Sequence, residues 1–318
     1  MTYRGNKEIG DRYTMRTMLG KLKRRFASAL KSLIVDSQLP LAAQTWAIKH
    51  LLPMDPWPKS LAYQQCLADR IIKSQGATSQ TGPFNGMACI KDANDGCLVP
   101  KLLGCYEEEL FPTVESFILR GYDRILDVGC ASGYWLVGLA LRMPRAELFG
   151  FDIDEGALAR CSELIALNNV QPRVKLLGIC TPTEIEKLIK GRTLIFMDCD
   201  GPEFELLDPN LAPALRRADI IVECHDCFNP MITPTLLERF EVSHLIERIS
   251  SREREPRVER YPGLKALPSE HWAEALAERR PCVQEWLVMR STILDQNSSG
   301  SDLESAIGRP HDQQGITG

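Results

Sequence analysis

Leu126-Asp127-Val128-Gly129-Cys130-Ala131-Ser132-Gly133 follows a short apolar run and precedes Tyr134 to Leu141, which reads as a helix. A strand, a glycine-bearing turn and a helix start together make a nucleotide-binding loop. Its glycines let the backbone come close to a ligand where a Cβ would collide. The spacing is Gly-x-x-x-Gly, so the dinucleotide pattern Gly-x-Gly-x-x-Gly is absent. That absence disfavours an NAD-dependent oxidoreductase.

Outward from this loop, strands and helices alternate from Arg124 onward, which argues for a parallel sheet with helices on both faces. The strand candidates are Ile125 to Val128, Glu147 to Phe151, Val174 to Leu177, Thr193 to Met197 and Ile220 to Glu223. Helices are expected from Tyr134, from Glu155 and from Thr183, with another near Pro209 to Arg216. Phe240 to Ile249 and Val283 to Met289 are further strand candidates, separated by a long charged segment. Within it, Arg252 to Arg260 is nearly all charged and reads as a solvated loop, with an active-site lid as the alternative.

Upstream, residues 1 to 14 are polar. From Met15 to Val35 the apolar positions Met15, Met18, Leu19, Leu22, Phe26, Leu30, Leu33 and Ile34 recur at helical spacing, with six Lys or Arg and no acid until Asp36. A basic amphipathic helix of this kind lies on an anionic membrane surface, or packs on its own domain or on a second subunit. Core-facing packing is the commoner use of such periodicity. Pro53, Pro56 and Pro58 argue against a continuous helix there, and a second helix is expected over Leu61 to Ser74. Two short strands around Met87 to Ile90 and Leu98 to Leu102 flank Asn94-Asp95-Gly96, a hairpin signal, and Cys105 to Arg120 reads as a helix. The expected domains are an N-terminal extension over 1–105, a main domain over 106–290 and a Ser-, Gly- and Gln-rich disordered tail over 291–318.

With 318 residues, 44% of them apolar and 25% charged, the chain has an ordinary globular composition. A formal charge of -4 gives no electrostatic reason to expect nucleic acid. Eleven scattered cysteines with a single Cys-x-x-Cys, Cys224 and Cys227, match no zinc-ribbon spacing and read as reduced thiols of a cytoplasmic protein. No apolar run approaches the roughly 20 residues of a membrane span, and the N-terminus lacks a secretion-signal layout.

In a parallel sheet, ligands gather at the carboxyl ends of the strands. Here those ends carry Asp127 and the glycine loop, then Phe151-Asp152-Ile153-Asp154, then Gly178-Ile179-Cys180. After the fourth and fifth strands come Met197-Asp198-Cys199-Asp200-Gly201-Pro202-Glu203 and Glu223-Cys224-His225-Asp226. Any one acid at a strand end can simply cap the next helix. Several in order are harder to explain that way.

The loop, with an acid two residues before its first glycine and Asp152 at 25 residues downstream, resembles motif I and the ribose-binding acid of class I S-adenosylmethionine-dependent methyltransferases. The resemblance covers roughly Arg124 to Arg290. Ala131 departs from it, standing where the family commonly has a middle glycine. The resemblance implies a Rossmann-like α/β fold, a seven-stranded, mostly parallel sheet with an antiparallel edge hairpin, here behind an N-terminal helical extension. It further implies S-adenosylmethionine as cofactor, held by Asp127, Gly129, Cys130, Gly133, Asp152, Ile153, Cys180 and Asp198. Asp127 would orient the loop or accept from the cofactor's amine, Asp152 would grip the ribose hydroxyls, and Cys180 would border the adenine.

The segments after strands four and five resemble the FkbM-type branch, which reads Asp-x-Glu-Gly-x-Glu and Glu-x-His. Asp200 replaces the first Glu, while Gly201, Glu203, Glu223 and His225 match. Gly82 to Met87 and Leu102 to Glu107 also resemble sequence preceding the domain in that branch. It implies O-methylation of a saccharide or natural-product hydroxyl, and no resident metal. The acceptor must lose a proton, so His225 is the first candidate base, with Asp200 and Glu203 as positioning or alternative basic groups. Two alternatives stand beside this. One is a catalytically silent scaffold on the same fold. The other is a metal-assisted, catechol-type enzyme using Asp198 with Glu223, His225 or Asp226.

Overall fold

A computed structural model describes residues 43, 56–92, 97–278, 280 and 283–293. The amphipathic stretch 15–35, the Asn94-Asp95-Gly96 turn and the expected tail from 294 lie outside the described residues. The chain divides into two units: Met1–Glu108 with Glu253–Arg279, and Glu109–Arg252 with Arg280–Gly318. The main domain, expected without a break over 106–290, is thus interrupted by a segment that belongs to the first unit.

In the first unit, helix α1 (Pro56–Gln75) begins at Pro56 rather than Leu61. Prolines in a first turn have no intrahelical N–H to lose, so Pro56 and Pro58 open the helix instead of breaking it. Leu98–Leu103 forms helix α2 and not the expected strand. All six of its residues are buried, and a short apolar run carries no period by which strand and buried helix can be told apart. The other expected strand is reduced to one antiparallel bridge, Thr78 to Ala88. Leu67 and Ile71 of α1 join Val99, Leu102 and Leu103 of α2 in a core that Tyr261, Leu264 and Leu276 complete.

The charged stretch Arg252 to Arg260 is exposed over most of its length, as expected of a solvated loop, but Arg254 turns inward. The Arg254 side chain is 4% exposed; its guanidinium lies 2.5 Å from Glu278 Oε1 and 3.5 Å from Glu108 Oε2. Tyr261 donates its hydroxyl to Glu108 Oε2 at 2.5 Å, and Arg260 pairs with the other oxygen. Arg254 therefore ties the segment 253–279 into its unit. Removing one partner of a buried ion pair strands the rest, at a cost of about 3–5 kcal/mol. Arg254→Ala should lower the stability of this unit by about that amount in urea denaturation; a loss of under about 1 kcal/mol would show the network to be solvated.

The second unit starts with a 3-10 turn and helix α3 (Phe111–Arg120), where one helix was expected from Cys105. Then come β1 (Arg124–Val128), α4 (Tyr134–Arg142), β2 (Glu147–Phe151), α5 (Glu155–Leu167), β3 (Val174–Leu177), α6 (Pro182–Leu188), β4 (Thr193–Met197), α7 (Glu203–Leu206), β5 (Asp219–Cys224), α8 (Ile232–Phe240), β6 (His244–Ser250) and β7 (Glu285–Ser291). The seven strands form one sheet in the order β3-β2-β1-β4-β5-β7-β6. β7 runs antiparallel to both of its neighbours, and the pairs from β3 to β5 are parallel. This is the expected seven-stranded Rossmann-like sheet with its edge hairpin.

Two details differ from the sequence reading. Phe240 ends helix α8 rather than starting β6, and the helix near Pro209 is a 3-10 turn at Pro213–Arg217. β4 and β5 are buried at every position, as expected of parallel strands covered on both faces. Phe196 of β4 packs between Trp135 of α4 and the fully buried Trp286 of β7. Val128 pairs with both Phe151 and Met197, and Met197 with Val222. The register therefore delivers the residues after β1, β2, β4 and β5 to one edge. The strand order reverses at β1, with β2 on one side and β4 on the other, which is where such sheets bind ligands. Among the described residues, no helix is long and apolar enough to cross a membrane.

Candidate active site

The loop after β1 is held from both sides. Gly129 and Cys130 donate their N–H groups to the Phe151 carbonyl, each at 2.9 Å, and Asp198 N donates to Val128 O at 2.9 Å. Gly129 has φ +86°, and a Cβ on it would lie 1.8 Å from the Asp198 carbonyl oxygen. Gly133, at φ +88°, would meet the Cys161 sulfur at 2.5 Å. Both glycines are thus required by how closely the chain packs on itself around the loop. The Cys130 side chain is buried and lies near Gly150, so it faces the sheet, with its backbone left in the loop.

Ala131 adopts φ +46°. A non-glycine residue there costs about 1–2 kcal/mol, and part of this is offset by its N–H bond to Asp152 Oδ2 at 2.8 Å. The other oxygen of Asp152 accepts from Asp154 N, also at 2.8 Å. Asp152 clamps the two loops together, and each of its oxygens keeps a further lone pair for a ligand. Asp154 caps α5 through Gly156 N. Ile153 is exposed at this edge. Cys180 is half-buried after β3, its thiol pushed up to about 12 by burial and by Glu184.

Asp127 sits beneath the loop, 2% exposed, and its Oδ2 has no hydrogen-bond partner. Burial, with the charges of Asp198 and Asp152 nearby, pushes this carboxyl up to about 8. A buried carboxylate oxygen without a partner is costly, and a cationic ligand group would relieve that cost. In the ligand-free chain the sign is set by protonation: between the unfolded value of 3.8 and about 8 the folded state holds a proton that the unfolded state has lost. Stability therefore falls as pH rises through that window. Asp127→Asn should melt above the wild type at pH 8, by about 2–4 °C for each kcal/mol recovered, with the gap closing towards pH 4. Parallel pH profiles for the two proteins would contradict this.

The acids after β4 and β5 gather around His225, itself 2% exposed. Nδ1 lies 2.8 Å from Oε1 of Glu203, which is fully buried at the start of α7. Nε2 lies 3.3 Å from Asp200 Oδ1, 3.6 Å from Asp198 Oδ1 and 3.6 Å from Glu223 Oε2. Burial opposes a charged imidazole, but the Glu203 hydrogen bond and the charges of Asp198, Glu203 and Asp200 outweigh it and raise His225 above its ordinary value. Burial likewise works against an ionised Glu203. Its hydrogen bonds from His225 and from backbone N–H groups still hold it below the usual carboxylate range. Burial pushes Asp198 up.

Asp200, 83% exposed in its side chain, opens the cluster to solvent from a strained turn at φ +57°. Phe228 lies over the His225 ring at 5.8 Å and is 65% exposed. Asp226 is turned away, accepting from the N–H of Thr233 at 3.0 Å and from its hydroxyl at 2.6 Å near the start of α8. Two participants carried no local sequence signal. Arg280, from before β7, reaches Glu223 Oε1 near the end of β5 at 3.4 Å and Glu109 Oε1, from before α3, at 3.2 Å, so one guanidinium bridges the two acids.

No protein-family model matches the chain, and no curated protein matches it. Solved structures match at low identity. The precorrin-6y C5,15-methyltransferase from Geobacter metallireducens GS-15 is 14% identical over 56% of this chain and 87% of that one, with a TM-score of 0.40. The O-methyltransferase TomG from Streptomyces achromogenes, involved in tomaymycin synthesis and solved in complex with SAM, is 13% identical over 59% and 81%, with a TM-score of 0.38. The C-terminal domain of precorrin-6Y C5,15-methyltransferase from Rhodobacter capsulatus is 14% identical over 54% and 82%, with a TM-score of 0.36. The strand order and the geometry of the sheet edge, independent of these likenesses, support the functional reading below.

Proposed function

We propose that the chain is an S-adenosylmethionine-dependent O-methyltransferase of the FkbM-like branch, acting on a hydroxyl of a saccharide or natural product. The observation that carries this reading is the pairing, at one sheet edge, of a buried carboxyl with one oxygen lacking a partner and a proton-accepting cluster. Asp127 Oδ2 supplies a counter-charge suited to the cofactor's ammonium. Asp152, with lone pairs left on both oxygens, supplies a grip for two ribose hydroxyls. When bound, S-adenosylmethionine supplies a methyl group on a sulfonium, which needs little help as a leaving group.

The protein's own tasks are alignment and proton removal. Alignment of two reactants in a fixed site is worth several kcal/mol. Proton removal falls to the cluster after β4 and β5. Glu203 fixes the imidazole proton on Nδ1, leaving Nε2 to face the acceptor side beside Asp200. The acids around His225 make that nitrogen a stronger base than a free imidazole. Phe228 and Asp200, both exposed beside it, match an acceptor with an apolar face and several hydroxyls.

The test is methyl transfer from radiolabelled S-adenosylmethionine to a panel of sugars and hydroxylated natural products. His225→Gln should lower kcat by about 10²–10⁴-fold, in keeping with the loss of a general base, with the KM for S-adenosylmethionine little changed. An active His225→Gln enzyme, or transfer to amine acceptors alone, would overturn the O-methyltransferase assignment.

A further inference from the structure

We propose that Asp198, Asp200 and Nε2 of His225 form a binding site for one divalent transition-metal cation of the first row. The three ligand atoms lie within 4.8 Å of one another. From Nε2 the separations are 3.3 Å to Asp200 Oδ1 and 3.6 Å to Asp198 Oδ1. Neighbouring ligands of an octahedral ion with bonds of about 2.1 Å stand about 3 Å apart, so each aspartate oxygen is within about 0.6 Å of a ligand's spacing from Nε2.

A second observation separates this cluster from an ordinary group of surface acids. Glu203, fully buried, takes up Nδ1 at 2.8 Å and so turns Nε2 towards the two aspartates. A carboxylate that orients an imidazole from behind is the recurring support of metal-bound histidine, and it raises the ligand's basicity. In front, Nε2 faces Asp198, Asp200 and Glu223 together. With Glu203, that makes four acids in contact with one imidazole. Arg280 is the guanidinium paired with one of them, Glu223.

The donor set also selects among ions. Two hard carboxylates with one imidazole suit a first-row divalent ion better than Ca2+, which takes oxygen ligands, or Cu+, which takes thiolates, and Mn2+ is the member of that class used as the probe. Asp200 faces solvent, giving the ion an entry path and leaving coordination positions open. Without the ion, Nε2 is free to act as the base of the proposed function; with it bound, Nε2 is a ligand and the ion itself would lower the pKa of an acceptor hydroxyl held there. This consequence rests on the proposed function; binding of the ion does not. It also departs from the metal-free centre implied by the FkbM resemblance.

The test is a titration of the full chain, stripped with EDTA, with Mn2+ alone, followed by loss of the free-ion EPR signal. Wild type should bind one Mn2+, and Asp200→Asn, at an exposed position that leaves the core intact, should weaken binding at least about tenfold. Glu203→Gln should weaken it about 10–100-fold through the imidazole's support. Asp226→Asn, whose carboxylate is committed to Thr233, should leave it unchanged. No binding at millimolar Mn2+, or equal binding by wild type and Asp200→Asn, overturns the site. Methyl transfer by an enzyme that binds no Mn2+ would overturn the site alone, whereas Mn2+ binding without transfer to any acceptor would overturn the proposed function alone.

Discussion

The ends of β1 and β4 meet at a point that admits no side chain. Gly129 lies so close to the Asp198 carbonyl that a Cβ would overlap it, and the Val128 carbonyl accepts from Asp198 N across the same junction. Everything at the carboxyl edge of the sheet follows from this approach. It sets the glycine loop and Asp127 beside Asp198, and through Asp198 beside His225. A larger residue at 129 would push the two strand ends apart and with them the two halves of the site.

The site is built from opposed electrostatic costs. Asp127 is buried with one oxygen lacking a partner, and its carboxyl is pushed up accordingly. The acids around His225 instead raise a buried imidazole and are steadied from behind by Glu203 and Arg280. When ionised, Asp127 lowers the stability of the ligand-free chain, whereas the acids around His225 favour the protonated imidazole. Both lie at the reversal of strand order, and the proposed function rests on their meeting there. Strain at Ala131 and Asp200, both at positive φ, falls on the two turns that shape these seats.

Much of the sheet was legible because parallel strands read as short apolar runs that end in turn or helix-start residues. Glu147 to Phe151, Val174 to Leu177 and Thr193 to Met197 have the limits expected from the sequence. Leu98 to Leu103 was not legible as a helix, since a fully buried run shows no period. The burial of Arg254 was hidden because Glu108 and Glu278 lie far from it in sequence. At the site, the acids after β4 and β5 announce themselves by spacing, yet sequence could not sort them. Asp200 and Asp226 look equivalent on paper. The hydroxyl and N–H of Thr233 claim the second and leave the first facing His225. Arg280 and Glu109 show the same limit from the other side, since their meeting is created only when β7 inserts next to β5.

The central claim is that this sheet edge receives S-adenosylmethionine, with Asp127 facing its ammonium and Asp152 its ribose. Isothermal titration of the full chain with S-adenosylmethionine tests it most directly. One-to-one, saturable binding with a dissociation constant below about 1 mM, near the upper end of the usual substrate range, is the expected result. No heat of binding at millimolar S-adenosylmethionine, or saturable binding of a nicotinamide dinucleotide in its place, would contradict it.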